Sequence, residues 1–317
     1  MTQPLTATGQ RTLLAIIQDV MLDLGLPLPV SVIGNSDNAV RQLLVFANRV
    51  GEDLASRGAH LEGWQVLRRE YVFNLVGFGG ITGSITQGSN VVTGLSSTAG
   101  IVAGMIATAN GLPWYPTVLA VDAVNGAVTL DAPAEATIAN AQLSFGQESY
   151  PIPSDCDHFI AQTGWDRSFR WQLVGPLSAQ EWQVLKSGIS PAGPRLRWRI
   201  MDGKIFVNPV PASADKLVME YYSNGWCQSM TGAPQTTWVA DSDTPLIQDR
   251  LFILGIMSRF LNRKGLDSSV ADQEYERAIS IAIARTAGAR SLPINAVSRS
   301  DIGLISSSQV PDTGFGA

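Results

Sequence analysis

Apolar residues at Leu13, Leu14, Ile16, Ile17, Val20, Met21 and Leu24 recur at helical spacing, and Gly25 and Pro27 stop the run. Beyond a Pro/Gly loop, Val40, Leu43, Leu44, Ala47, Val50 and Leu54 form one apolar stripe, with Arg41, Arg49, Glu52 and Asp53 off it. This predicts a second helix, capped by Asn35 or Ser36 and ended by Gly58, which leaves His60 in a loop. From Trp64 to about Phe145 the chain turns to Gly, Thr, Ser and Val with few charges, the pattern of a small all-β domain. Asn125-Gly126, between apolar stretches 118–124 and 127–130, reads as a two-residue hairpin turn. The glycines between Gly77 and Gly104 lack G-x-x-x-x-G-K-[ST] spacing, so they read as turn residues and not as a phosphate loop.

Further along, Ser154 reads as the cap of a short helix through Phe159 and Ile160. Ser178-Ala-Gln-Glu181 is a capping box ahead of Trp182, Val184 and Leu185, with Gly188 as the stop. Stretches 196–201 and 205–207 flank Asp202-Gly203, a second hairpin, and 217–222 is a third strand. A strongly apolar helix is predicted over 246–264, carrying Leu246, Ile247, Leu251, Phe252, Leu254, Ile256, Phe260 and Leu261 and ending at Gly265. Asp267 or Ser268 starts a last helix, running to about Arg285 or Gly288, with Val270, Tyr275, Ala278, Ile279 and Ala282 inward. A helix as apolar as 246–264 needs cover on more than one side. The expected fold is α+β: a helical bundle formed by the N- and C-terminal helices, with inserted β domains and an extended C-terminal tail. Its divisions are N-terminal helices (1–66), an inserted small β domain (67–149), a mixed β region with short helices (150–240), C-terminal helices completing the bundle (241–290) and the tail (291–317).

Composition adds a constraint on the surface. Of 317 residues, 45% are hydrophobic and 15% charged, against about 25% charged in a usual soluble protein. The low charge suits either a large buried core or a surface that faces other subunits, since interface centres lose charge and gain aromatics. The net charge of −5 argues against a chain whose whole surface binds nucleic acid. It is compatible with a wall that DNA slides past, where mild acidity repels phosphate. The two cysteines, Cys156 and Cys227, give no disulfide framework or zinc spacing, as expected of assembly in a reducing cytoplasm. Residues Met1 to Gln10 are polar, without the apolar stretch of a signal peptide, and no apolar run is long enough for a membrane span.

Candidate chemistry is thin. His158 follows Cys156 and Asp157, but no second cluster completes a tetrahedral metal set. Neither His60 nor His158 has a neighbouring nucleophile motif. Asp155, Asp157 and Asp166, and likewise Asp241, Asp243 and Asp249, read as acids that precede or open helices, where the helix dipole favours them. No catalytic, cofactor-binding or metal residue is assigned. Arg195, Arg197 and Arg199 alternate along one strand and share a face, opposite Leu196 and Trp198. They read either as a solvated face or as a basic stripe meeting an acidic neighbour or DNA. Arg259, Arg263 and Lys264 complement the end of their helix. The tail sets Leu292, Ile294, Val297, Ile302, Leu304, Ile305, Val310 and Phe315 singly among Pro, Gly and Ser. It cannot bury enough to fold alone, so either the protein's own body or, as the favoured expectation, a neighbouring chain holds it.

Tyr150-Pro-Ile-Pro-Ser-Asp-Cys-Asp-His158, Trp165-Asp166-Arg167, Gly175-Pro176-Leu177-Ser178 and Glu181-Trp182 resemble phage head-to-tail adaptor proteins, in particular the tail accessory factor and tail tubular protein A group of short-tailed phages. Arg197-Trp198-Arg199-Ile200, Lys204-Ile205-Phe206, Pro209, Pro211 and Glu220-Tyr221-Tyr222 continue the likeness, and so does the β module with Gly88 to Leu95 and Gly104-Met105. The resemblance spans roughly Arg11 to Arg290 and carries no catalytic signature. It implies a structural virion protein of the neck, assembled in the host cytoplasm as a ring, commonly of twelve copies. The ring would sit beneath the portal protein, extend the channel for double-stranded DNA and offer a platform to tail nozzle or fibre proteins, with the C-terminal segment reaching along the portal. A nozzle or fibre-attachment protein is the alternative, and a tail-associated peptidoglycan hydrolase a further one. A ring needs a heterologous contact between two different faces, which separate helical and β regions can supply.

Overall fold

The computed structural model describes residues 10–60, 64–188 and 195–287. Among the described residues the chain is mixed α+β, with five α-helices and several small antiparallel sheets. The first elements are α1 (Leu13–Asp23), α2 (Asn38–His60), β1 (Arg68–Asn74), β2 (Gly77–Ile85), β3 (Val91–Val92), β4 (Ile106–Thr108), β5 (Val118–Asp122), β6 (Ala127–Leu130) and β7 (Ile138–Gly146). Then come β8 (Ser149–Pro151), β9 (Cys156–Phe159), β10 (Trp165–Asp166), β11 (Trp171–Gln172), α3 (Ala179–Lys186), β12 (Arg197–Met201), β13 (Lys204–Asn208) and β14 (Lys216–Ser223). The chain continues through β15 (Cys227–Gln228), β16 (Pro234–Gln235), β17 (Thr244–Pro245), α4 (Asp249–Lys264) and α5 (Ser269–Ala287).

The apolar stripes of α1, α2, α4 and α5 meet in one core, but that core is not made of helices alone. Trp64, Leu67, Tyr222, Trp226, Cys227 and Trp238 fill it from outside the helices. Trp226 lies edge-on to Trp238 at 5.1 Å and tilted on Phe252 at 5.6 Å, an aromatic cluster between sheet and helix. It fits because residue 51 of α2 is glycine: a Cβ there would stand 2.3 Å from the indole. Gly255 plays the same part where α4 meets Val50 and Tyr275, at 2.9 Å for an added Cβ.

Two further cores lie among the strands. Sheets β2-β7-β4 and β3-β6-β5 share one, built on Ile85, Val92, Val128, Leu143 and Phe145. The other gathers Leu75, Tyr150, Leu173, Trp198, Ile205, Val207, Leu217 and Met219, between sheet β12-β13-β8 and the sheet ordered β1-β14-β10-β11. Strand β14 joins this core to the helical one, because Leu217 and Met219 enter the first and Tyr222 the second. Where β2 and β7 begin and end as partners, Gly77 faces Gly146. Added Cβ atoms there would meet the Pro211 carbonyl oxygen at 2.3 and 2.2 Å, so both glycines are needed for that close backbone approach.

Local signals held where they were self-contained. The capping box at Ser178 and Glu181 forms, with Gly188 left-handed just beyond α3. Asp202 and Gly203 both take positive φ and make the two-residue turn between β12 and β13. Other expectations are corrected. Asp37, not Asn35 or Ser36, caps α2, accepting from the Ala39 amide at 2.9 Å, while Asn35 accepts from the Asp37 amide. The helix runs through Gly58 and ends at His60. The β5–β6 connection is a four-residue turn, Ala123 to Gly126, in which the Asp122 carboxylate accepts from the amides of Val124 and Asn125. Ser154 begins no helix: Cys156–Phe159 is β9, drawn into the sheet by pairing with β14. Leu246 and Ile247 precede α4, although Ile247 is buried in its core. Val270 is 68% exposed, whereas Tyr275, Ile279 and Ala282 are buried as expected.

Two predictions follow from this packing. Helix propensity alone favours Gly51→Ala by roughly 1 kcal/mol. The wedged indole reverses the sign, and urea melts are expected to show a loss of about 1–3 kcal/mol. The second concerns alkaline stability. Burial pushes the Tyr150 hydroxyl and the Cys227 thiol each up to about 12, and Tyr221 and Cys156 to about 12 as well. All four are neutral when protonated, so folding favours the protonated form. Their contribution is whole below the unfolded values of roughly 8.5 and 10 and is lost as the pH climbs towards 12. Denaturant midpoints are expected to be flat in these groups up to about pH 8.5 and to fall above it.

Candidate interaction surfaces

The β10–β11 hairpin is held by one buried acid. Asp166 accepts from the amides of Ser168 at 2.8 Å and Phe169 at 3.1 Å, and Arg170 takes a positive φ to close the turn. The hairpin then presents Phe169 (55% exposed) and Trp171 (40%) with rings stacked 5.7 Å apart. Strand β11 is the last of its sheet. Val174 and Val184 of α3 are also solvent-facing, and a cavity of about 420 Å³ is lined by Val174, Leu177, Gln180, Val184, Leu185 and Arg197. Aromatic and aliphatic side chains set together in water mark a contact surface more often than a solvated face.

The arginine stripe is uneven. Arg195 is exposed and lies ahead of β12, while Arg197 and Arg199 are half-buried opposite Asn208 and Phe206. Trp198 is buried, as its alternate position requires. Arg197 Nη1 is buried without a hydrogen-bond partner among the described residues and lines the cavity beside α3. The other named set, Leu292, Ile294, Val297, Ile302, Leu304, Ile305, Val310 and Phe315, lies outside the described residues.

A polar clamp that the sequence reading did not anticipate joins the small β module to the rest. Asn208 donates to the Tyr115 hydroxyl, Lys186 pairs with Glu148, and the Lys186 ammonium sits 4.0 Å from the Tyr115 ring centroid. Burial, with Glu148 nearby, raises the Tyr115 hydroxyl well above its ordinary value. These partners are 93 and 38 residues apart or more loosely patterned still, so no local spacing announces them.

The carboxylates serve as loop locks. Asp155 accepts from the hydroxyls of Tyr221 at 3.0 Å and Ser223 at 2.7 Å, with Arg69 3.7 Å away. Asp241 accepts from the amides of Val32 and Ile33, and Asp243 from those of Val239 and Ala240. The expectation that these acids open helices is therefore corrected for all but Asp249, which stands in the first turn of α4. Asp157 pairs with His158 at 2.7 Å. Among the described residues no three His, Cys, Asp or Glu side chains converge as a metal site, and no helix is long and apolar enough to cross a membrane.

A comparison with curated proteins finds no match. The family of the SU10 adaptor protein matches residues 115–298, from the Tyr115 clamp through α5. The match takes in β5 to β7, the capping-box helix, the arginine strand and both C-terminal helices. The likeness to a phage adaptor thus holds. The residues matched are more than half of the chain, and the chain belongs to the SU10 adaptor family of phage structural proteins.

Proposed function

We propose that this chain works as a head-to-tail adaptor in the manner of the tail accessory factor and tail tubular protein A group. Copies close into a ring beneath the portal, extend the DNA channel and offer a platform to the tail. The family match over 115–298 carries this reading. The solvent-facing Phe169–Trp171 pair supports it, since a ring needs an apolar centre in each heterologous contact. The 291–317 segment is the portal-binding part in this reading, with its isolated apolar residues as anchors. Arg195 and Arg199 would face an acidic neighbour or the passing DNA. The reading places the protein in the virion neck, with the portal, tail nozzle or fibre proteins and further copies of itself as partners.

Two measurements test it. Removing residues 291–317 is expected to leave a folded protein by circular dichroism that no longer joins filled heads in a sedimentation assay. A truncated protein that still seals heads overturns the docking role. Phe169→Ala with Trp171→Ala is expected to weaken copy–copy association about tenfold or more, read by sedimentation or by ring counts in electron micrographs. Unchanged rings would move the subunit contact to another face.

A further inference from the structure

The sheet ordered β1-β14-β10-β11 ends in two different edges. Strand β14 fixes which way the main-chain groups of β1 point. Its Glu220 carbonyl accepts from the Ile160 amide at 2.9 Å and its Lys216 carbonyl from the Arg167 amide at 2.8 Å, both on the side away from β1. The Glu220 and Lys216 amides turn the same way, to the hydroxyls of Thr163 and Ser168. Direction alternates along an antiparallel strand, so Leu217, Met219 and Tyr221 bond to β1 through their partners Phe73, Tyr71 and Arg69. The N–H and C=O groups of Glu70, Val72 and Asn74 therefore point out of the sheet, and among the described residues no hydrogen bond reaches them. The strand carries neither proline nor register shift to blunt this edge. Glu70, Val72 and Asn74 are exposed on one face, while Tyr71 and Phe73 stack at 4.9 Å, half-buried, on the other.

The opposite edge is β11. The Leu173 amide donates inward to the Gly164 carbonyl at 2.9 Å, so the Gln172 main chain faces outward. Val174, the next outward residue, is taken up by Leu196 and Trp198 of the same chain. The free stretch is thus short, and side chains carry most of what it offers: Phe169 and Trp171, with exposed Arg170 between them. Arg170 has no ion-pair partner among the described residues. Trp171 faces Asp166, which faces Leu217, which faces Phe73, so the aromatic side chains of both edges lie on one face of the sheet.

We propose that the two edges meet between copies: β11 of one copy adds to β1 of the next, and one sheet continues from subunit to subunit. The inference rests on the reading that copies associate through Phe169 and Trp171, and it names the surface that receives them. Strand β11 runs antiparallel to β1 in its own copy, and a neighbour turned about an axis along the strands keeps that sense. Pairing the outward Gln172 with outward Glu70 or Val72 sets Trp171 opposite Tyr71 or Phe73, so that the indole extends their stack. The first of these registers also brings the Arg170 charge within two residues of Glu70, whose carboxylate otherwise meets Arg167 of its own chain. The occupant of β1 is a second copy because the charges are complementary and the two edges differ, which is the heterologous contact a closing ring requires.

The test uses full-length chains carrying one new cysteine each. Gln172→Cys protein is mixed with Glu70→Cys or with Val72→Cys protein and mildly oxidised, since facing residues of a hydrogen-bonded pair lie within disulfide reach. A mixed dimer is expected with one of the two partners, above the background of the unmodified chain. Val72→Pro removes an outward N–H that β14 does not use, a change an edge strand tolerates. It is expected to keep the folded circular dichroism spectrum and to weaken association about tenfold by sedimentation, whereas Val72→Thr, which keeps the N–H, stays within about threefold. Rings that form without either cross-link leave the ring reading standing and overturn this contact. So does a Val72→Cys protein that cross-links to itself, which would mean that β1 pairs with β1. A chain that stays monomeric overturns both.

Discussion

One contact carries the architecture: the Trp226 indole pressed against the bare backbone of α2 at Gly51. The residue arrives from the far side of the chain, at the head of β15, and lands between Trp238 and Phe252. With Tyr222 at the end of β14, it brings the sheets onto the helices, so that four helices and a sheet share one core. A side chain of this size removes about 150–250 Å² from water, and so close an approach is available here only because the helix offers no Cβ at residue 51. The Nε1–H of the same ring is buried without a hydrogen-bond acceptor among the described residues.

The same economy shapes the surface. With few charges in hand, the chain sets several of its acids against backbone amides and hydroxyls. Asp155, Asp166, Asp241 and Asp243 each lock a loop. What is left outside is partly apolar, as at Phe169, Trp171 and Val184. Loops locked in this way are rigid enough to present side chains to a partner without much ordering cost. That is the physical sense in which an adaptor can have a closely specified shape.

The legible parts of the fold were those whose instructions lie within a few residues. The Ser178–Glu181 box, the Asp202-Gly203 turn and the Gly265 stop need no distant partner. Cys156–Phe159 was misread because nothing local distinguishes a capped turn from an edge strand; its pairing with Tyr221 and Tyr222 decides. Val270 misled for a similar reason, since an apolar residue at helical spacing need not be covered. Of the candidate surfaces, the arginine alternation was visible in the sequence, whereas the burial of Arg197 Nη1 and the Tyr115–Asn208 clamp were not.

By itself the sequence determined the α+β character, the helices 13–23 and 38–60 to within their ends, the hairpin at Asp202-Gly203 and the likeness to a phage adaptor, because periodicity, capping and turn chemistry act over short range. Only the tertiary structure decided which glycines admit a foreign atom and which acids lock loops. Such facts depend on distances between residues far apart along the chain, and no pattern of neighbours encodes a distance.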